Sequence, residues 1–366
     1  MVVDSPASVE SASACRASAS SQAGIALGAG RGVAASGGGG GGLWAARGAR
    51  SEESGHIRCW RPSPMPVAVR LTRGVAATAP CDVAAGAWLA GRERGAYTTA
   101  RTARAATAVF DLAAHINRLA SSASLMGCTA AELVDPAVLR PAVVAALRAA
   151  LAAPPGHPST PRPEVRLTML TTWTGPDAPA TVSVHAAPLP PPPPPPVLCL
   201  AAGAPRANAA AKDSGWVTGR AGIEAARAAV GANEALLVDA AGRVVEGASS
   251  NFAAIDASGR LVTAGTGMLA GTVRGVLLSA AASRGVAVAL EAPLLADAGG
   301  WQGAFVTSTS RLALPVDALL VPGEERGGGR DALRRIDLRS SACPLVALLA
   351  ADVAAAVDAA AEAVAA

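Results

Sequence analysis

Lysine is almost absent from this sequence. Of its 31 basic residues one is lysine, Lys212, and the other thirty are arginine. Arginine can replace lysine wherever a positive charge is enough, but a guanidinium does not deprotonate in proteins. The one retained amine makes Lys212 a candidate for chemistry that needs a neutral, nucleophilic nitrogen, while survival of a single lysine by chance is the alternative.

Aromatic residues are also scarce, at 3% of the chain, although hydrophobic residues make up 51%. Alanine and valine supply most of the apolar content, so we expect a core of small side chains. The length of 366 residues is enough for two modest domains, each with a core of its own.

Further absences argue against whole classes of function. The six cysteines include no C-x-x-C pair and the four histidines form no ligand cluster, so we predict neither a disulfide framework nor a metal site. The net charge is only +4, which argues against a nucleic-acid-binding face. The most apolar stretch, Val346–Ala366, contains three acidic residues and predicts an alanine-rich helix rather than a membrane span.

Residues 1–65 have the composition of a disordered segment. They are rich in serine, alanine and glycine, with six consecutive glycines at 37–42, and we predict no fold for them. Serine with scattered arginines and few acids fits an organelle transit peptide and suggests a plastid location. An untargeted extension of a cytoplasmic protein, or a wrong start site, fits equally well.

The rest of the sequence predicts an α+β fold of two domains, residues 66–189 and residues 197–366. Between them, seven consecutive prolines at 190–196 predict a stiff polyproline II linker, with an SH3-type ligand as the alternative. The elements predicted for the first domain are a strand over Gly95–Arg104, a helix over Leu112–Met126, a helical stretch over Ala130–Ala152 broken near Pro136 and Pro141, and strands over Val165–Trp173 and Ala180–Ala186 joined by a Gly175-Pro176-Asp177 turn. Those predicted for the second domain are strands over Glu234–Asp239, Asn251–Asp256, Val286–Leu290 and Ala304–Ser308, a helix over Gly271–Arg284 and the C-terminal helix.

Four motifs in a fixed order resemble one known family. They are Gly95–Arg101 followed by His115–Leu119, Lys212–Trp216, Glu246–Phe252, and Gly267–Arg274. Their order and the 34-residue separation of Lys212 from Glu246 resemble the class IV aminotransferases, which include branched-chain and D-amino-acid aminotransferases and aminodeoxychorismate lyases. The sequence around Lys212 looks most like that of a plant and algal branch described as D-amino-acid aminotransferase-like.

The resemblance covers about Val67–Ala366 and implies both a fold and a cofactor. The fold would be that of a two-domain, fold-type IV enzyme, with a small N-terminal α+β domain and a larger C-terminal α/β barrel-like domain. The cofactor would be pyridoxal 5'-phosphate (PLP). The family is typically homodimeric.

The resemblance also assigns residues to the cofactor. Lys212 would form the Schiff base with PLP, and Glu246 would face the pyridine nitrogen, where a carboxylate keeps the ring protonated as an electron sink. Arg118 would bind the phosphate through its guanidinium fork. The same phosphate would meet the hydroxyl of Thr309 and the free amides at a helix N-terminus, formed by Gly271, Thr272 and Val273.

The substrate side of the pocket is assigned less completely. Tyr97, the only tyrosine of the chain, would line it together with Thr99 and Trp216, although plain packing is the alternative for all three. The sequence Arg92–Ala96 differs from the sequence that many relatives of this family have at this position. For the arginine that binds a substrate carboxylate the sequence leaves three candidates open, namely Arg101, Arg220 and Arg311.

Three functions are compatible with these residues. The first is transamination between an amino acid and a 2-oxo acid through the lysine Schiff base. The second is elimination of pyruvate by an aminodeoxychorismate lyase, in which Thr99 would have a functional part. The third is PLP binding without catalysis by a silent homologue.

Overall fold

The computed structural model describes residues 66–152, 162–175, 180–323, 333–338 and 340–364, all of which belong to one compact unit. The predicted disordered segment and transit peptide, residues 1–65, and the Pro176-Asp177 part of the predicted turn lie outside the described residues.

The helices and strands follow one another along the chain in two groups. Up to residue 188 they are β1 (Val67–Thr72), β2 (Val75–Pro80), α1 (Ala85–Ala90), β3 (Ala96–Ala103), β4 (Ala108–Phe110), α2 (Leu112–Leu125), α3 (Ala131–Val134), α4 (Pro136–Leu151), β5 (Val165–Thr172) and β6 (Thr181–Pro188). After the prolines they are β7 (Leu198–Ala201), α5 (Gly215–Gly219), α6 (Ala221–Ala229), β8 (Glu234–Val238), β9 (Val244–Gly247), β10 (Asn251–Ile255), β11 (Leu261–Val262), α7 (Thr272–Ser283), β12 (Val288–Ala289), β13 (Gly303–Ser308), β14 (Leu312–Pro315), β15 (Ala318–Pro322), β16 (Leu333–Asp337), α8 (Pro344–Ala359) and β17 (Ala361–Ala363).

Within the described ranges, seven strands form the first sheet, in the order β17-β4-β3-β5-β6-β1-β2 with antiparallel neighbours. Helices α2 and α4 cover one face of it. Each helix repeats its apolar residues at helical spacing, as with Leu112, Ile116 and Leu119 on α2, and these are buried in the core beneath the helices. The other face of β3 and β5 is left for the candidate site.

Two five-stranded sheets make up the second half of the described chain, ordered β12-β11-β10-β13-β14 and β16-β15-β7-β8-β9. Helices α7 and α8 pack together against the first of them, around Phe305 and Leu349. A separate core joins the two sheets, and in it the rings of Phe252 and Trp301 lie 5.7 Å apart. This arrangement of mixed helix and sheet agrees with the predicted α+β class.

The proline at position 141 does not break its helix. Helix α4 runs from Pro136 through Pro141 to Leu151, whereas the break predicted near Pro136 occurs at Asp135, whose side chain caps α4. An interior proline costs about 3 kcal/mol, but burial of a leucine contributes about 1.5–3 kcal/mol, and α4 buries five apolar residues. Packing therefore outweighs the lost hydrogen bond.

The C-terminal helix is shorter than predicted. Helix α8 ends at Ala359, and β17 then pairs with β4 instead of continuing the helix towards Ala366. Alanine favours a helix, but the edge of β4 offers backbone partners that local propensity does not take into account. The predicted domain boundaries on either side of the prolines stay a prediction. Strand β17, which comes from the predicted second domain, pairs with the first sheet.

No helix in the described part of the chain is both long and apolar enough to cross a membrane.

Candidate functional site

Lys212 lies in the loop between β7 and α5, where the second half of the chain is held against the first sheet. Its backbone N–H donates to Oγ of Ser122 on α2 at 3.0 Å, and its carbonyl accepts from the N–H of Tyr97 on β3 at 2.9 Å. Two elements of the first half thus fix the lysine backbone. The loop conformation is set by long-range contacts that no local pattern encodes.

The Lys212 amine is half-buried and lies among cations. Nζ lies 4.8 Å from the centre of the Tyr97 ring. Burial, together with smaller effects of the nearby charges of Arg118, Arg220 and Arg206 and against an opposing effect of Glu246, lowers the pKa of Lys212 to about 7. A large share of the amine is therefore neutral near pH 7, which is the form that can act as a nucleophile or a base.

Glu246, near the end of β9, is the carboxylate of the site. Its side chain is almost fully buried; Oε1 accepts from Nε of Arg206 at 2.9 Å and Oε2 from the N–H of Leu269 at 3.1 Å. The next residue, Gly247, has no space for a side chain, because a Cβ at that position would lie 2.1 Å from Oγ of Ser250. The Glu-Gly pair of the sequence motif is thus a buried acceptor next to a place where the chain turns tightly on itself.

The other end of the site is built to receive an anion. Arg118 on α2 donates to the carbonyl of Ala270, and burial lowers its pKa to about 10. Helix α7 begins directly after Gly271, and no side chain caps it, so the amides of its first turn are available to a ligand. A Cβ on Gly271 would lie 1.9 Å from Oδ1 of Asn251, whose Nδ2 donates to the carbonyl of Leu269 at 2.6 Å.

Two threonines, one near the end of β13 and one directly after it, complete this end. Thr309 is largely buried in the wall of the pocket, next to the end of β13. Thr307, which sequence reasoning did not select, has a buried Oγ1 with no hydrogen-bond partner among the described residues. An unpartnered buried hydroxyl costs about 1–3 kcal/mol, so a ligand that bonds to it would recover that cost.

One cavity of about 380 Å³ joins these groups, which is within the size range of small-molecule sites. All ten residues selected from the sequence line it: Tyr97, Thr99, Arg118, Lys212, Trp216, Glu246, Gly271, Thr272, Val273 and Thr309. Their individual roles stay predictions.

Sequence reasoning missed an arginine in the cavity wall. In the pairing of β3 with β5, Thr99 is opposite Thr168 and Arg101 is opposite Arg166, so these side chains share a face, and Arg166 and Thr168 line the cavity. Nε of Arg166 is buried without a hydrogen-bond partner in the described part of the protein. Residues two apart in a strand lie on the same face, so the spacing of Arg166 and Thr168 in the predicted strand was the signal that could have identified this arginine.

The three arginines named from sequence are differently placed. Arg220 pairs with Glu224 and donates to the carbonyl of Ala248, and Arg311 pairs with the buried Glu234. Arg101 is not part of the cavity wall. Of these cations, Arg166 is the one that both lines the cavity and has no ion pair among the described residues.

The family profile for amino-transferase class IV matches residues 95–319, more than half of the chain. The chain belongs to the class IV aminotransferase family. The matched range holds all ten selected residues. Membership in this family makes the chain an enzyme of that group, whose chemistry includes both transfer and elimination.

Solved structures with this class IV fold align with most of the chain. The PLP-bound form of a hypothetical aminotransferase from Mycobacterium tuberculosis is 24% identical, with a TM-score of 0.57 over 80% of this chain and 99% of its own. A branched-chain aminotransferase from Thermoproteus uzoniensis with norvaline is 18% identical, with a TM-score of 0.61 over 81% and 99%. A Brucella abortus aminotransferase bound to PLP is 17% identical, with a TM-score of 0.58 over 80% and 99%.

At identities below 25% these likenesses establish the fold alone. They agree with the fold-type IV architecture that the motifs implied. No curated protein sequence matches the chain.

Proposed function

We propose that this protein is a PLP-dependent aminotransferase that moves an amino group between an amino acid and a 2-oxo acid. The observation that carries the proposal is the half-buried amine of Lys212, with a pKa lowered to about 7, in one cavity with a carboxylate and a group of anion-binding donors. Relatives of this fold that are described as PLP-bound aminotransferases support it.

The residues of the cavity fit PLP. The phosphate would be held by Arg118, the hydroxyl of Thr309 and the amides of Thr272 and Val273, which together supply the cation and donors that a phosphate dianion needs. Glu246 supplies a carboxylate for the ring nitrogen, and Lys212 supplies the amine for the aldehyde. When bound, PLP supplies an electron sink for the pair left behind when the amino acid loses its Cα proton.

The protein's own part in the reaction is proton transfer and positioning. A neutral Lys212 Nζ can accept the Cα proton of the amino acid, and the protonated amine can return it at a neighbouring carbon. A pKa of about 7 suits both directions near neutral pH, since neither form of the amine is rare.

For the substrate carboxylate we propose Arg166. Its guanidinium is half-buried in the cavity wall, and desolvation alone lowers its pKa, with no carboxylate partner opposing the effect. A carboxylate that binds there gains a charge-assisted hydrogen bond in a partly desolvated setting. The neighbouring Thr99 and Thr168 hydroxyls line the same part of the cavity.

Absorbance spectroscopy tests the proposal. The full chain, loaded with PLP, should show a visible band that is lost on adding a suitable D- or L-amino acid and restored by a 2-oxo acid. The variant K212A should lose both the band and the turnover. Wild-type turnover by K212A would remove the central role of Lys212.

The lyase alternative rests on Thr99, which lines the cavity at the position where lyases of the family carry a functional threonine. A visible band that ignores every amino acid, combined with pyruvate release from aminodeoxychorismate, would select that alternative. A band that responds to neither substrate class would favour the silent homologue.

Two further proposals concern assembly and location. We propose a homodimer, as is usual for the family, which light scattering of the purified protein would test by molar mass. We also propose plastid targeting by residues 1–65, and a fluorescent protein fused behind this segment should then collect in plastids. Cytosolic fluorescence would contradict the targeting.

A further inference from the structure

Arg206 uses every nitrogen of its guanidinium in bonds to two separate segments. Nε donates to Oε1 of Glu246 at 2.9 Å, Nη1 to the carbonyl of Ala211 at 3.2 Å, and Nη2 to the carbonyl of Ala209 at 2.8 Å. Only 9% of the Arg206 side chain and 3% of the Glu246 side chain are exposed. This is a buried, three-way junction rather than a surface ion pair.

The junction joins the two groups at which the proposed chemistry takes place. Ala211 directly precedes Lys212, and Glu246 belongs to β9. One rigid, planar group therefore fixes the lysine segment relative to the carboxylate. The guanidinium carbon also lies 5.6 Å from the centre of the Trp216 ring, a contact that further restricts its plane.

We infer that Arg206 is a positioning residue that holds Glu246 and the Lys212 segment as one unit, so that PLP meets both groups in a preset geometry. The inference rests on the proposed function, because it concerns how that site receives its cofactor. A lysine at this position would keep the charge but offer one nitrogen in place of three, and could not join both segments.

Charge alone does not account for such a role, and the chain offers a control for it. The positive charge of Arg220 also lowers the pKa of Lys212, yet Arg220 bonds to Ala248 and Glu224 rather than to Glu246. R220Q removes a comparable charge and leaves the junction intact. Arg227 pairs with Glu224 and donates to the carbonyl of Ala232 outside the cavity, so R227Q is a control for the loss of a bonded arginine.

The experiment measures the dissociation constant of PLP for the full chain and for R206Q, E246Q, the double variant R206Q/E246Q, R220Q and R227Q. We expect R206Q to bind PLP about tenfold more weakly, and R227Q to stay within about twofold of wild type. If Arg206 acts through Glu246, the double variant should bind within about threefold of E246Q alone, because coupled residues are non-additive. The pH midpoint of the absorbance of the PLP-loaded protein should also shift in R206Q and not in R227Q.

Each other outcome overturns the inference. Wild-type affinity of R206Q would leave Arg206 without a role in PLP binding. An equal loss of affinity in R220Q would leave Arg206 no role beyond its charge. If the losses of affinity in R206Q and E246Q multiply in the double variant, the two residues act independently. If R206Q does not fold, R206K keeps a cation beside Glu246 and should show the same loss of affinity. Failure of wild type to bind PLP at Lys212 would instead overturn the proposed function itself, and this inference with it.

Discussion

At the scale of single residues, the site depends on where a few side chains lose their contact with water. Lys212 is flanked by arginines and burial removes much of its affinity for a proton. The same protein keeps thirty arginines, and several of them, such as Arg260 and Arg284, lie in solvent-exposed ion pairs. Replacing lysine by arginine is harmless at such positions and impossible at 212.

The depressed pKa of Lys212 predicts how stability depends on pH. A lysine in an unfolded chain has a pKa of about 10.4, so between about pH 7 and pH 10.4 the unfolded state binds more protons than the PLP-free folded state. Burying the charged amine lowers the free energy of unfolding by its full amount below pH 7, and this loss of stability decreases as pH rises through the window. In urea unfolding of the PLP-free protein, the stability gain of K212M over wild type should shrink between pH 7 and pH 9.5. A gain that does not change with pH would contradict the lowered pKa.

Close approach at Gly271 gives a second prediction. G271A places a methyl group 1.9 Å from Oδ1 of Asn251, so the amide must move and the N-terminus of α7 with it. We expect a loss of about 1–3 kcal/mol in the free energy of unfolding and weaker PLP binding.

A glycine four residues on provides the control. A Cβ on Gly275, on the same helix, has no heavy atom within 4 Å, and G275A should stabilise the protein by about 0.5–1 kcal/mol. Urea unfolding and PLP titration of the two variants measure the contrast. Equal behaviour of the two would show that the approach of Asn251 to Gly271 is not tight in solution.

At the scale of elements, the turn between β3 and β4 stores backbone strain. Arg104, Ala105 and Ala106 have φ values of 56°, 57° and 62°, the left-handed region that residues with a Cβ avoid. The carboxylate of Glu164, just before β5, accepts from the amides of Ala105 and Ala106 at 2.9 and 3.3 Å and from the hydroxyl of Thr102. One acidic side chain thus offsets the strain of a whole turn.

E164Q should therefore destabilise the fold. The amide nitrogen of glutamine would face donors that now bond to an oxygen, and we expect a loss of about 1–3 kcal/mol in the free energy of unfolding. Glu132 is exposed on α3, so E132Q is the matched control and should change stability by less than about 0.5 kcal/mol. Urea denaturation measures both, and an unchanged midpoint for E164Q would show that the turn does not need its carboxylate.

Elements also mark how far sequence reasoning could go. The strand over Gly95–Arg104 and the helix over Leu112–Met126 were confirmed within two residues, because a period-2 and a period-3.6 pattern are both local. Strand β9 was missed, since a stretch as short as Val244–Gly247 carries no period of its own.

The candidate site was only partly accessible from sequence for a related reason. Lys212 stood out because its residue type is unique in the chain. Arg166 and Arg206 could not stand out among thirty arginines. Their importance depends on the pairing of β3 with β5 and on the folded path of the lysine loop, which are set by contacts distant in sequence.

The prolines at 190–196, whose linker role stays a prediction, also form part of the cavity wall. Pro190, Pro191 and Pro193 line the cavity, beside Leu89 of α1 and Val217 of α5. These prolines thus provide an apolar part of the cavity wall.

At the scale of the whole molecule, residues near the C-terminus complete the first sheet. Strand β17 pairs with β4, and Glu362 accepts from the N–H of Ala113, in the first turn of α2, at 2.8 Å and from Nη2 of Arg140 at 2.6 Å. Helix α2 carries Arg118 towards the anion end of the cavity. The tail thus supports the helix that presents the proposed phosphate ligand.

Deletion of residues 361–366 should accordingly weaken both fold and site. Loss of the strand pairing and of a carboxylate at the N-terminus of α2 should cost about 2–4 kcal/mol in the free energy of unfolding and reduce PLP affinity. Deletion of residues 365–366 alone leaves β17 and is the control for chain length. Urea unfolding and PLP titration of the two truncations test this, and equal values would show that the tail pairing contributes little.

The position of β17 also determines the order in which the sheets can be completed while the chain is being synthesised. Strand β4 is made early, at residues 108–110, but its outer edge has no partner until residue 363 has left the ribosome. The first sheet to emerge is therefore the last to be completed, and its open edge stays exposed to other chains throughout translation.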